Sequence, residues 1–168
     1  MDFERFMKRA LDQAQQALDA GEFPVGCVVV RGDDVLVSGS RRGTAGGGVN
    51  EIDHAEMVAL RRLTASYPDV DRGQLTVFCT LEPCLMCFGA ILISGIGRIV
   101  YAYEDVMGGA SACDISQLTP LYRHRPVTLV PNILRRQSLA LFRSFFQDPR
   151  NRYWKGSLLE RYTLAQRI

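Results

Sequence analysis

Hydrophobic positions recur at helical spacing near both ends of the chain. From Phe3 to Leu18 an apolar residue returns every three or four positions, which predicts an amphipathic helix that ends at Gly21. The same spacing from Ile133 to Phe146 predicts another long amphipathic helix, and the segment 151–166 after it is helix-like and rich in aromatic and basic residues. Both ends of the chain are therefore expected to be helical.

Runs of β-branched residues between these helices predict strands. Val25–Val30 and Val35–Val37 flank the turn residues Gly32-Asp33-Asp34, so they predict a hairpin. Further strands are predicted over Leu75–Cys79, Arg98–Tyr103 and Pro126–Val130.

Two more helices are expected between the later strands. Asp53 is placed to cap one that runs roughly to Thr64, and Pro83 is placed to open the next. The stretch Ser40–Asn50 is rich in Gly and Arg and predicts a loop. The alternation predicts an α/β fold, a three-layer α-β-α domain with a mixed sheet. We expect one domain over residues 1–168, with 148–168 as a C-terminal helical extension.

Composition agrees with a single folded domain. The chain has 168 residues, of which 47% are hydrophobic, so a sizeable core can form. No apolar run approaches the roughly 18–20 residues of a membrane span, so no membrane partner is expected. The chain begins with a segment that contains Asp2 and Glu4 and lacks the apolar region of a signal peptide. This predicts a cytoplasmic protein whose five cysteines stay reduced and free to bind metal.

Charge is unevenly distributed along the chain. Residues 1–120 hold ten basic and sixteen acidic side chains, whereas residues 121–168 hold ten and two, and nearly all the basic residues are Arg. Because Arg suits bidentate contacts with phosphate, the basic final third predicts a phosphate-bearing partner, with Arg150 and Arg152 among its contacts. The alternative interpretation is a solvated outer face on terminal helices, and both stay open.

Cys84 and Cys87 are candidate metal ligands. Residues three apart on a helical turn point the same way, so both thiols can reach one ion. They lie at a predicted helix start, where free N–H groups and the helix dipole favour the thiolate, the form that binds zinc. A redox dithiol and a pair of buried core thiols are the alternatives.

His54 favours the metal site over these alternatives. One imidazole and two thiolates leave a fourth zinc position open for water, which is typical of a catalytic zinc site. Cys27 and Cys79 lie inside apolar strands and are interpreted as core residues. Cys113 lies in a predicted loop and stays a further candidate.

Glu56 has two candidate roles. Asp53 and Glu56 have the spacing of N-cap and N3, so Glu56 could complete a capping box. Since Glu56 is two residues from a candidate zinc ligand, it could instead take a proton from a zinc-activated water, whose pKa falls to about 7, and pass it to a leaving group.

The segments His54-Ala55-Glu56 and Pro83-Cys84-x-x-Cys87 together resemble the H-x-E…P-C-x-x-C signature of zinc-dependent nucleobase deaminases. Up to about residue 147 the chain is similar to the cytidine deaminase superfamily, and within it to the tRNA adenosine deaminase branch. The resemblance implies a five-stranded mixed sheet and one Zn²⁺ per subunit, held by His54, Cys84 and Cys87. It also implies hydrolytic deamination of a base, with Glu56 as the proton shuttle, and a homodimer.

The substrate-facing parts depart from that branch. An Asn that usually follows the second strand and reads the base is absent from residues 38–42, and Asn50 comes only later. The lysine-rich tail often found there is replaced by a segment that contains Tyr153 and Trp154. We expect the substrate to be contacted by Pro24, Val25, Arg41, Asn50, Pro83 and Trp154.

Three functions follow from this pattern. Adenosine-to-inosine deamination in tRNA is favoured by the overall resemblance and the basic final third. Deamination of a free base, nucleoside or nucleotide, of cytosine, guanine or adenine type, is favoured by the missing Asn and by aromatic residues that could cover a small pocket. A catalytically silent, zinc-binding partner subunit is disfavoured by the intact Glu56.

Overall fold

A computed structural model describes residues 1–46 and 48–167, and in it helices cover both faces of a five-stranded sheet. The strands are β1 (Gly26–Arg31), β2 (Asp34–Ser40), β3 (Leu75–Leu81), β4 (Arg98–Tyr103) and β5 (Thr128–Val130). The helices are α1 (Phe3–Asp19), α2 (Ala55–Ser66), α3 (Leu85–Ile93), α4 (Pro120–Arg123), α5 (Arg135–Gln147) and α6 (Leu158–Ala165).

The strand order β2-β1-β3-β4-β5 gives a mixed sheet. β1 runs antiparallel to both β2 and β3, while β3, β4 and β5 are parallel. The predicted α/β architecture with a five-stranded mixed sheet is confirmed. Since β2 and β3 point the same way, the loops that leave their carboxyl ends emerge at one edge of the sheet. α2 and α3 therefore both begin at that edge.

Side chains alternate across the sheet and divide the core into two parts. On one face, residues of β1, β3 and β4 pack against α1, and on the other they pack against α2 and α3. Cys27 and Cys79 lie opposite each other on β1 and β3 and are fully buried. Their interpretation as core residues is confirmed.

Two glycines let helices lie close to the sheet. A Cβ at position 39 on β2 would lie 2.2 Å from the carbonyl oxygen of Ala55 in α2. A Cβ at position 26 on β1 would lie 2.1 Å from the carbonyl oxygen of Ala10 in α1. Both helices consequently rest with their backbones directly against the strands, which no larger residue would permit.

The C-terminal part of the chain returns to the sheet. In α5 the Ser138 hydroxyl donates to the Thr80 carbonyl oxygen at 2.6 Å. In α6 the hydroxyl of Thr163 lies 3.0 Å from that of Tyr103 on β4. The segment 151–166, expected to be helix-like throughout, is helical only from Leu158; Trp154 and Gly156 have left-handed φ values of 57° and 77°, which a right-handed helix cannot include.

The start of α2 differs from the sequence prediction. His54 is the N-cap, without a side-chain capping hydrogen bond, so the proposed capping box of Asp53 and Glu56 is wrong. Asp53 instead accepts a hydrogen bond from the Asn50 side chain at 2.8 Å and pairs with Arg61. These contacts hold its carboxylate in the preceding loop, away from the helix N–H groups.

Other boundaries differ by a few residues. α3 begins at Leu85 with Cys84 as its N-cap, so Pro83 lies just outside the helix. α5 begins at Arg135 and not at Ile133, since Leu134 has a left-handed φ of 55°. β5 begins at Thr128. Across residues 1–46 and 48–167, no helix combines the length and the apolar character needed to cross a membrane.

Candidate metal centre and active site

The two helix starts at the sheet edge bring three metal-ligating side chains together. His54 precedes α2, Cys84 precedes α3, and Cys87 lies in the first turn of α3. One ligand atom from each lies within 4.8 Å of the other two. Cys113, the further candidate, is not a member of this group.

The donor geometry fits a zinc ion. His54 Nδ1 lies 3.5 Å from the Sγ atoms of both Cys84 and Cys87. Zinc bonds of about 2.3 Å to sulfur and 2.0–2.1 Å to nitrogen, at a tetrahedral angle, put N and S about 3.5 Å apart. The spacing of these donor atoms therefore matches what one zinc ion requires of an imidazole and two thiolates.

The electrostatics of the thiols favour metal binding. A hydrogen bond from Cys87, with help from His54, outweighs burial and lowers the pKa of Cys84 to about 4. The pKa of Cys87 is raised, because it shares its proton with Cys84 and is buried. One thiolate is therefore already present at neutral pH, and a dication would displace the remaining thiol proton.

Glu56 lies beside the three donors on the first turn of α2. Its side chain is buried, and its Oε2 atom lies 3.5 Å from Cys87 Sγ. Burial raises the pKa of this carboxyl, although the nearby His54 opposes the rise. A buried carboxyl beside the metal donors is placed to accept a proton and return it.

His54, Cys84 and Glu56 line a cavity of about 200 Å³. Of the residues predicted to contact substrate, Val25, Arg41 and Trp154 line it, whereas Pro24, Asn50 and Pro83 do not. The other lining residues come from five separate parts of the chain: Phe23, Glu51, Leu81, Glu82, Asp105, Met107, Gly108, Tyr153 and Leu159. The cavity is smaller than the ~300–1,000 Å³ typical of drug-sized ligands, so it suits a single base.

A buried arginine organises one wall of this cavity. Arg41 is 2% exposed, and its Nη1 donates to the carbonyl oxygens of Arg42 and Asn50 at 2.8 and 2.7 Å. Its Nη2 donates to Glu51 Oε2 at 3.2 Å and to the Tyr153 hydroxyl at 3.3 Å. Asn50, predicted as a substrate contact, thus does not line the cavity but holds Arg41 in place through its backbone carbonyl.

Sequence reasoning did not find three acidic lining residues. Both carboxylate oxygens of Glu82 accept backbone N–H groups, from Asp105 and Ser111 at 3.0 and 2.9 Å, so Glu82 ties the loop after β4 to the end of β3. Burial raises the pKa of Asp105, against the hydrogen bonds from Gly108 and Met107. Glu82 immediately precedes the metal motif Pro83-Cys84, and this adjacency is the sequence feature that could have marked it as a cavity residue. Nothing in the local pattern marks Glu51 or Asp105.

Arg150 and Arg152 lie away from the metal cavity. Both line a polar surface groove between the end of α1 and the end of α5. The Arg150 guanidinium is exposed and pairs with Asp148, with Nη2 to Oδ2 at 2.7 Å. Arg152 in this groove is only two residues from Trp154 in the metal cavity, so the segment after α5 contributes to both the groove and the cavity.

Comparison with known proteins adds to this geometry. Residues 1–103 match the family model described as the cytidine and deoxycytidylate deaminase zinc-binding region. The chain is 30% identical over 148 residues to a tRNA-specific adenosine deaminase of Streptococcus pyogenes serotype M18, which covers 88% of this chain and 91% of that protein. A tRNA-specific adenosine deaminase of Bacillus subtilis is 28% identical over 150 residues, covering 89% and 91%.

A solved structure is similar over most of the fold. It comes from a study of A-to-I editing by tRNA:A34 deaminases at the wobble position of transfer RNA. It superposes with a TM-score of 0.69 at 28% sequence identity and covers 82% of this chain and 98% of that one.

Proposed function

The chain belongs to the family of zinc-dependent cytidine and deoxycytidylate deaminases, and we propose that it converts adenosine to inosine in tRNA. Family membership makes it a hydrolytic deaminase that uses zinc. One observation carries the proposal for its substrate: Glu56 and two members of the metal triad, His54 and Cys84, line a base-sized cavity in a chain that aligns over 88% of its length with a tRNA-specific adenosine deaminase.

The mechanism assigns separate tasks to the ligands and to Glu56. His54, Cys84 and Cys87 would hold zinc, which when bound supplies a water of lowered pKa as the nucleophile. Glu56 accepts a proton from the attacking water and donates it to the ring nitrogen next to the amino-bearing carbon. It then delivers the second proton of the water to the amino group. Ammonia leaves, the carbon keeps the oxygen as a carbonyl, and adenosine plus water has become inosine plus ammonia.

The substrate base must leave its stack to reach this cavity, as in other nucleobase deaminases. We propose that Val25 and Trp154 contact the inserted base, and that Arg41 shapes the wall beside it. Trp154 is 42% exposed at the cavity, so its ring is available for stacking on an unpaired base. Arg150 and Arg152, in the basic final third, are proposed to contact phosphates outside the cavity.

We also propose a cytoplasmic homodimer. α3 presents Leu85 and Ile93 to solvent, with exposed fractions of 67% and 50%. Leu85 also lines an apolar groove, together with Phe88, Leu92 and Leu118. A second copy of the chain is the proposed occupant, and Leu85→Lys should shift the sedimentation coefficient from that of a dimer to that of a monomer. A wild-type protein that sediments as a monomer at micromolar concentration would contradict this assembly.

The substrate proposal is tested by product analysis. Zinc-loaded protein is incubated with unmodified tRNA, adenosine, cytosine, guanine and their nucleosides, and both ammonia and inosine are measured. Glu56→Gln serves as the control for contaminating activity. We expect inosine to form in tRNA only. Ammonia from a free base or nucleoside, with no inosine in tRNA, would overturn the tRNA assignment and leave the reaction class intact.

That outcome would favour the alternative, a deaminase of a free base, nucleoside or nucleotide. The observation in its favour is that Tyr153 and Trp154 both line the cavity. A small-molecule enzyme would use such rings to exclude water. The two functions differ in salt dependence, which is steep for tRNA and shallow for a neutral base.

A further inference from the structure

The far ring nitrogen of His54 faces a carboxylate. While Nδ1 is directed at both thiols, Nε2 lies 4.0 Å from Glu51 Oε2. This separation is longer than a hydrogen bond. A histidine that ligates a metal through Nδ1 carries its hydrogen on Nε2, so that N–H points toward the carboxylate side of the cavity wall.

Glu51 is held in place by residues remote in sequence. Its Oε2 atom accepts from the Tyr153 hydroxyl at 2.8 Å and from Arg41 Nη2 at 3.2 Å. The Arg41 guanidinium also lies 5.6 Å from the centre of the Tyr153 ring. Glu51 itself is 53% exposed along its side chain, so without these two donors it would be free to turn into solvent.

We propose that Glu51 is a positioning residue for the zinc ligand His54. Its carboxylate stabilises the tautomer with hydrogen on Nε2 and keeps the Nδ1 lone pair directed at the metal. Carboxylates that act on metal-bound histidines in this way raise ligand basicity and fix the ring orientation. Tyr153 and Arg41 hold Glu51 in this position. The segment after α5 therefore acts on the metal centre through the hydrogen bond from Tyr153 to Glu51. The inference rests on His54 being a zinc ligand, as proposed above, and not on the identity of the substrate.

Zinc affinity tests this role directly. Glu51→Gln keeps the shape of the side chain and removes its charge, and zinc binding is measured by competition with a chromogenic chelator. Loss of such a supporting carboxylate typically weakens metal binding about 10–100-fold, and we expect that loss here. Asp53→Asn is the matched control, because Asp53 lies in the same loop and pairs with Arg61 outside the cavity. Its zinc affinity should stay within twofold of wild type.

Tyr153→Phe gives a second, milder variant that keeps Glu51. It removes the 2.8 Å hydrogen bond and retains the ring that packs on Phe23. We expect a smaller loss of zinc affinity in the same direction. Nitrogen-15 spectra add a signature that a merely structural role would not change. The chain has only two histidines, and the His54 Nε2 resonance of the zinc-loaded protein should shift in Glu51→Gln and stay in place in Asp53→Asn.

The outcomes separate this inference from the proposed function. Wild-type zinc affinity and an unmoved Nε2 resonance in Glu51→Gln would overturn the positioning role. If Glu51→Gln fails to fold, an unchanged affinity in Tyr153→Phe would overturn it instead. Full zinc occupancy in His54→Ala would contradict the ligand assignment itself. If tRNA is not deaminated but Glu51→Gln still weakens zinc binding, the positioning role stands and only the substrate is wrong.

Discussion

Gly39→Ala should displace the start of α2 and so lower both the stability of the fold and its affinity for zinc. The new Cβ would lie 2.2 Å from the Ala55 carbonyl oxygen and 2.8 Å from the Ala59 nitrogen, both in the backbone of α2. An ordinary contact begins near 3.4 Å, so β2 and the first turn of α2 must separate by about 1 Å. Overpacking of this kind costs about 1–3 kcal/mol of folding free energy, or about 2–12 °C in Tm for a chain of this size.

The displacement matters because His54 and Glu56 flank Ala55. Metal–ligand distances tolerate changes of only about 0.2 Å, so a shift five times larger should lower zinc affinity as well as stability. Gly26→Ala is the matched control. Its Cβ would lie 2.1 Å from the Ala10 carbonyl oxygen in α1, a helix without metal ligands. It should lose similar stability and keep its zinc affinity.

Thermal melting and chelator competition on the two variants distinguish these effects. The reasoning is refuted if Gly39→Ala is destabilised yet binds zinc as tightly as wild type. It is equally refuted if Gly26→Ala weakens zinc binding to the same degree, because the loss would then reflect general destabilisation.

Three further variants probe the remaining assignments. Cys87→Ala should reduce zinc content from about one ion per chain to none in elemental analysis, and full occupancy would contradict the ligand set. Glu56→Gln should keep zinc and lower turnover about 10²–10⁴-fold, as expected when a general acid–base group is lost; retained activity would exclude the proton-shuttle role. The double variant Arg150→Ala with Arg152→Ala should weaken tRNA binding and flatten its salt dependence by about one unit per lost contact. Because Asp148 already pairs with Arg150, Arg152→Ala alone should account for most of the change, and an unchanged slope in the double variant would count against phosphate contacts.

The elements that sequence reasoning predicted well depend on local periodicity. α1 and the β1–β2 hairpin are defined by spacing within a few residues, and the metal motifs by two short segments. Helix starts were less accurate. The prediction placed Asp53 as a cap because its side chain suits that role, but Asn50 and Arg61 compete for the same carboxylate.

The cavity wall could not be predicted, because its parts lie far apart in the chain. Arg41 and Tyr153 are separated by 112 residues, and their contact depends on how α5 returns to the sheet. Phe23 contributes to this return, since its ring packs edge-on against Phe145 and Tyr153. Local patterns carry no information on such pairings, so Glu51 had no distinguishing feature before the fold was known.

The hydrogen-bond network around the Arg41 guanidinium has an evolutionary consequence. Its four Nη hydrogens are committed to two backbone carbonyls, Glu51 and Tyr153, and its side chain is almost wholly buried. Replacing Glu51 or Tyr153 alone would leave the buried Arg41 guanidinium with one hydrogen-bond partner fewer, which costs more than exchanging the set together. Positions 41, 51 and 153 should therefore be inherited as a unit and covary among homologues. Intermediate genotypes that carry only one exchange should be rare, because selection would act on the trio and not on its members.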